Sequence, residues 1–210
     1  MKVPPLRIVA FEITRTCLLS CRHCRGDSHS RTYDNELTFG EISAVFDSIA
    51  SFARPIMIIT GGEPLTRPDV FDIARRSTAL GFRTTLATCG HLLDEKKATR
   101  LVEAGVMRIS VSLDGPDAAT HDSFRGVPGA FDAAIRGISA ARDAGLPFQI
   151  NSTLTALNAH AVASLHDLAL ELGAEAFHPF LLVPVGRGTG LADAALSPME
   201  YERVLEEIAH

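Results

Sequence analysis

The sequence predicts an α/β chain folded as a partial (β/α)6 barrel, TIM-barrel-like and in a single domain. Three observations point there: six apolar runs rich in Val, Ile, Leu and Phe, helical spacing in the segments between them, and a glycine at the end of most of those segments. The chain has 210 residues, 46% of them hydrophobic, enough for one well-buried domain and too few for two of ordinary size. A complete eight-stranded barrel takes about 250 residues, so six units suit this length better.

In chain order, the runs at 6–13, 55–60, 82–88, 106–113, 147–155 and 177–183 read as strands. They look nearly continuous rather than alternating, which predicts parallel strands covered on both faces or closed into a barrel. Ile42, Val45, Phe46 and Ile49 recur with helical spacing after the first strand, as do Leu165, Leu168, Ala169 and Leu172 before the sixth. Gly81, Gly105, Gly145 and Gly173 each end a helical run, where a left-handed residue is wanted. Pro68 is expected in the first turn of a helix, with Asp94 and Asn158 as N-caps. Right-handed crossovers between parallel strands then curl the sheet one way. Residues 186–198 read as loop before a terminal helix over 198–209. The expected organisation is a core domain over 1–195 and a C-terminal helix over 196–210, the latter read as the start of a further C-terminal region.

A net charge of −5 gives no broad basic surface and argues against a nucleic-acid partner. No stretch reaches the roughly 20 apolar residues that span a bilayer, and the N-terminal segment lacks the plan of a signal peptide. The expectation is a cytoplasmic protein with no membrane partner.

Three of the four cysteines, Cys17, Cys21 and Cys24, fall in Cys-Leu-Leu-Ser-Cys-Arg-His-Cys directly after the first strand, and Cys89 is remote. In a βα architecture that loop carries chemistry, and close thiols in a reducing compartment suit a metal better than disulfides. Two readings stand. A structural zinc would need a fourth ligand, from His23, His29 or Cys89. An iron–sulfur cluster on three cysteines would leave one iron open to a substrate.

Gly61-Gly62-Glu63-Pro64 follows the second strand. Paired glycines permit close backbone approach to a ligand and a carboxylate can pair with an ammonium, although a plain strand-to-helix turn would use the same residues. Ser110-Val-Ser112-Leu-Asp114-Gly-Pro ends the fourth strand, with Asp114 read as shaping the turn, and His121-Asp-Ser-Phe-Arg125-Gly follows. Asn151 sits in the fifth strand, where an inward amide either bonds a ligand hydroxyl or is satisfied internally. Val183 and Arg187 close the sixth strand; loop capping is the commoner fate of such an arginine, contact with an acidic substrate the alternative. Cys89 ends the third strand and reads as a small buried thiol.

With its C-x3-C-x2-C motif after the first strand and GGEP one unit later, the chain resembles the radical S-adenosylmethionine (SAM) superfamily over residues 6–190. The resemblance implies a [4Fe-4S] cluster on Cys17, Cys21 and Cys24 whose open iron chelates SAM. An electron then breaks a carbon–sulfur bond to give methionine and a 5′-deoxyadenosyl radical for hydrogen abstraction. It implies further that Gly61, Gly62, Glu63 and Pro64 bind the methionyl amine, with Glu63 pairing to the ammonium. Ser112 and Arg125 would contact the ribose and carboxylate, Asn151 the ribose, and His23 and Val183 the adenine. His23 departs from the family, which usually has an aromatic residue there. An electron donor such as flavodoxin or ferredoxin is implied. FEITRTC, GGEPL, SLDGP, FRGVPGAF and LVPVGRG are closest in flavour to members with auxiliary-cluster domains, which act on peptides, quinone-type cofactor precursors or tetrapyrroles. The substrate is therefore expected to be a peptide or a small molecule of those classes. The alternative is a zinc- or iron–sulfur-stabilised binding module without catalysis.

Overall fold

The computed structural model describes residues 4–209, and the first three residues of the N-terminal segment discussed above lie outside it. Six strands, β1 (Ile8–Thr14), β2 (Ile56–Gly61), β3 (Arg83–Thr88), β4 (Arg108–Ser112), β5 (Phe148–Leu154) and β6 (Phe177–Leu181), form one sheet in that spatial order. Every neighbouring pair is parallel. Among the described residues β1 and β6 do not pair, so the barrel stays open along one side.

The helices are α1 (Phe39–Ala50), α2 (Val70–Ala79), α3 (Glu95–Glu103), α4 (Ala118–Arg125), α5 (Ala130–Asp143), α6 (Val162–Leu172) and α7 (Pro198–Ala209). Their starts are chemically marked. Thr38 and Glu41 form a reciprocal capping box on α1, and Asp94 and Asp117 accept the backbone N–H of Lys97 and Thr120 on α3 and α4. The four glycines expected at helix ends all take positive φ. Two expected starts differ. Pro68 lies in the turn before α2, two residues ahead of its first helical residue. Asn158 makes no cap bond, because its side chain is spent on Asp114, Thr153 and Thr155. The expected loop over 186–198 contains a 3-10 stretch, Gly186–Ala194.

Met57, Ile59, Leu86, Ile109, Val111 and Ile150 face the helices and are fully buried with Phe46, Ile73, Leu101 and Ile138. Each such side chain contributes about 1.5–3 kcal/mol relative to exposure. The other face is not covered as the apolar runs suggested. Burial alternates residue by residue along β3, β4 and β5 and along β2 as far as Thr60, because the inner face lines a cavity. Apolar inner residues such as Ile56, Ile58 and Ala87 hid that alternation in the sequence. Among the described residues no helix is long and apolar enough to cross a membrane.

Candidate active site

The loop after β1 is held from three directions before any ligand is considered. Cys17 N–H bonds the His29 carbonyl at 3.1 Å, and Ser20 and Arg22 N–H bond the carbonyls of Arg125 and Phe124 at the end of α4. Arg187 supplies the third support: Nε donates to Cys21 O at 3.0 Å, while Nη1 donates to Ser28 O and Asp27 Oδ1. This is the loop-capping role weighed for Arg187, and it leaves the guanidinium engaged. Gly186 lets the two segments meet, since at φ +58 a Cβ there would lie 2.2 Å from the Arg25 carbonyl.

Cys17 and Cys21 are buried and Cys24 half-buried. Each sulfur accepts one N–H: Cys17 from Leu19 at 3.5 Å, Cys24 from Ser28 at 3.4 Å, and Cys21 from Arg125 Nη1 at 3.6 Å. Burial pushes the Cys17 thiol up to about 11, with the Leu19 N–H pulling the other way. Burial also raises Cys21, opposed by the Arg125 charge. Donors aimed at all three sulfurs suit thiolates that carry charge when metal displaces their protons. A cubane gives each cysteine its own iron, and three thiols on one loop, each with its own N–H donor, fit that donor set.

Above the loop, a cavity of about 550 Å³ is lined by the inner face of β1–β6 and the β6 exit, within the range of small-molecule sites. Cys17, Cys21, Cys24, His23, Gly61, Gly62, Ser112, Arg125, Asn151 and Val183 all line it. The paired glycines are there for a steric reason. A Cβ on Gly61 would lie 2.3 Å from Thr14 O and one on Gly62 2.4 Å from Thr16 O, so only glycine lets the two loops pack. Asn151 Oδ1 accepts from Gln149 Nε2 at 3.0 Å, and Val183 is two-thirds exposed at the rim.

Glu63 and Pro64 are placed differently from the expectation: both are buried and neither lines the cavity. Pro64 opens a 3-10 turn. The Glu63 carboxylate accepts Leu65 N–H at 3.1 Å, Cys89 N–H at 2.8 Å, and the Thr88 hydroxyl at 2.8 and 2.9 Å. It ties the β2 exit to the β3 exit and has no open side for an ammonium. Cys89 is buried beside Cys17 and Cys21, with its thiol raised by burial and then by Glu63.

Asp114 does more than shape a turn. Wholly buried, its Oδ1 accepts Thr153 N–H at 2.7 Å, and its Oδ2 lies 2.7 Å from Arg125 Nε and 3.8 Å from His23 Nε2. The Arg125 N–H does not point along that 2.7 Å contact, so both atoms form an ion pair and neither gains a hydrogen bond. His23 stacks on Phe124 at 4.5 Å, and burial lowers it to about 4, leaving it neutral with Nδ1 unpartnered. Thr88 and Asp114 were not singled out as site-forming residues. Only their position at the C-terminal ends of β3 and β4 could have pointed to them.

The chain is 50% identical over 199 residues to the AdoMet-dependent heme synthase of Methanosarcina barkeri, covering 95% of this chain and 56% of the relative. It is 45% identical over 202 residues to that of Nitratidesulfovibrio vulgaris, covering 96% and 55%. It thus spans about half the length of these curated relatives. In fold, it superposes on Streptococcus suis SuiB bound to precursor peptide SuiA with a TM-score of 0.83 at 20% identity, covering 98% of this chain and 45% of the other. Residues 11–172 match the profile of the Radical SAM superfamily, and the chain belongs to that superfamily of enzymes, which pair a [4Fe-4S] cluster with S-adenosylmethionine.

Proposed function

We propose that this chain is the SAM-cleaving core of an enzyme that modifies a carboxylate-bearing tetrapyrrole, with Cys17, Cys21 and Cys24 holding the cluster. One observation carries the reading: the three thiols, the paired glycines, Ser112, Arg125 and Asn151 open onto a single cavity, although they come from five separate parts of the chain. When bound, the cluster would supply the electron that splits SAM into methionine and a 5′-deoxyadenosyl radical. The chain's own residues do the rest. The backbone of Gly61 and Gly62, unobstructed by side chains, takes the methionyl end in place of the Glu63 carboxylate. Ser112 and Asn151, neighbours across β4 and β5, present a hydroxyl and an amide to the ribose. His23 offers a neutral ring edge to the adenine. The tetrapyrrole class is supported by the names of the heme-synthase relatives above. The core and C-terminal-helix division at residue 195 belongs to the same reading, as does an electron donor of the flavodoxin or ferredoxin type.

Anaerobic reconstitution tests the metal assignment, with about four iron and four sulfide per chain expected. Cys17→Ala, Cys21→Ala and Cys24→Ala should each abolish the cluster and Cys89→Ala should not. Stoichiometric zinc with no iron uptake would sink it. For the substrate class, SAM cleavage should accelerate with a tetracarboxylate iron porphyrin and not with an unrelated peptide; the reverse preference would overturn that part.

A further inference from the structure

The three cysteine sulfurs do not receive equivalent donors. Cys17 and Cys24 accept neutral backbone N–H groups, whereas Cys21 accepts from the guanidinium of Arg125. That cation is 7% exposed and is not free to swing away. The end of α4 that carries it is bonded to the cysteine loop through Ser20 and Arg22, and Gly126 packs so tightly on Ser20 that a Cβ would lie 2.7 Å from its carbonyl. Against the Nε of the same guanidinium stands Asp114, itself fixed by Thr153 N–H on its carboxylate, by Asn158 Nδ2 on its carbonyl at 2.8 Å, and by its own N–H to His121 Nδ1. The cation thus touches the Cys21 sulfur through Nη1, while the anion meets that cation at Nε.

From this arrangement we infer that Arg125 tunes the reduction potential of the cluster through Cys21, with Asp114 as its opposing charge, and is not solely a clamp for the SAM carboxylate. The inference rests on the cluster assignment made above. An electron added to a buried cluster is a negative charge added beside a fixed cation. Low local polarisability keeps the two from being screened, so the reduced form is favoured. Asp114 acts with the opposite sign and more weakly, being farther away. The role needs no movement of Arg125 toward a ligand, and it explains why a residue lining the cavity is pinned from behind.

The test is an EPR-monitored redox titration of the reconstituted chain without SAM, alongside SAM affinity measured calorimetrically. Arg125→Gln should lower the midpoint potential by about 59 mV or more, equivalent to about tenfold in the one-electron reduction equilibrium. Arg125→Lys, which keeps the charge, should recover most of the shift. Asp114→Asn should move the potential the other way, and it carries the test by itself if Arg125→Gln does not hold a cluster. Cluster-loaded Arg125→Gln with the wild-type potential, or Asp114→Asn with an unchanged or lowered one, would overturn the inference whatever SAM affinity does. Wild-type protein that takes up no four-iron cluster would instead overturn the cluster assignment.

Discussion

Replacing Glu63 separates a buried structural carboxylate from a ligand-binding one. In Glu63→Ala the backbone N–H groups of Leu65 and Cys89 lose their acceptor inside a region closed to solvent, while the Thr88 hydroxyl can rotate to another partner. Each orphaned buried N–H costs about 1–3 kcal/mol, and the vacated side-chain volume adds to that, so a loss of about 3–6 kcal/mol is expected. Glu63→Gln should cost less, because Oε1 still accepts while the new amide meets the Cys89 N–H donor to donor. The assay is urea denaturation of the cluster-free chain under reducing anaerobic conditions, where no SAM can contribute. A Glu63→Ala loss below about 1 kcal/mol, together with a large fall in SAM affinity of the loaded protein, would refute the structural role and restore the ammonium clamp.

Two further outcomes follow from burial and from the open sheet. Burial holds His23 and His121 near 4, below the ordinary value of 6.5, so between those values the unfolded chain binds more protons than the folded one. The stability carried by the neutral imidazoles is present above pH 6.5 and is lost as pH falls toward 4, at no more than about 1.4 kcal/mol per pH unit for each group. Urea midpoints at roughly pH 7 and roughly pH 5 should show the loss, and His121→Gln, which keeps an acceptor for Asp114 N–H, should shrink it; equal midpoints for wild type would contradict the reasoning. Because β1 and β6 leave the barrel open, the 210-residue chain should make more 5′-deoxyadenosine than modified tetrapyrrole. One-to-one coupling on any substrate would contradict that expectation.

The fold was legible because the chain alternates six apolar runs with helical stripes, four of them closed by a glycine, and parallel βα units have few alternatives. What the sequence concealed was the direction side chains take. Ile56, Ile58 and Ala87 are apolar yet occupy the half-buried positions of β2 and β3, and of the three only Ala87 lines the cavity, so the alternation that marks an inner face was masked. Glu63 sits next to two glycines that do line the site, and nothing in GGEP distinguishes a carboxylate turned outward from one folded back onto Thr88 and Cys89. Asp114 and Arg125 are 11 positions apart and their pairing depends on how α4 docks, which no local pattern encodes. Asn158 carried the signature of an N-cap but is drawn into the buried bonds around Asp114. The cysteine loop opens onto the cavity as its spacing after β1 implied, because three thiols on one short loop need little from the rest of the chain.

A four-iron cluster on the loop carrying Cys17, Cys21 and Cys24 would split SAM in the cavity above it. The most direct measurement is 5′-deoxyadenosine and methionine released by the reconstituted chain with dithionite and SAM, compared with Cys21→Ala handled identically. Equimolar 5′-deoxyadenosine and methionine are expected from the wild-type chain and neither from the variant. A cluster-loaded wild-type chain that binds SAM and releases no 5′-deoxyadenosine, or equal release from Cys21→Ala, would contradict it.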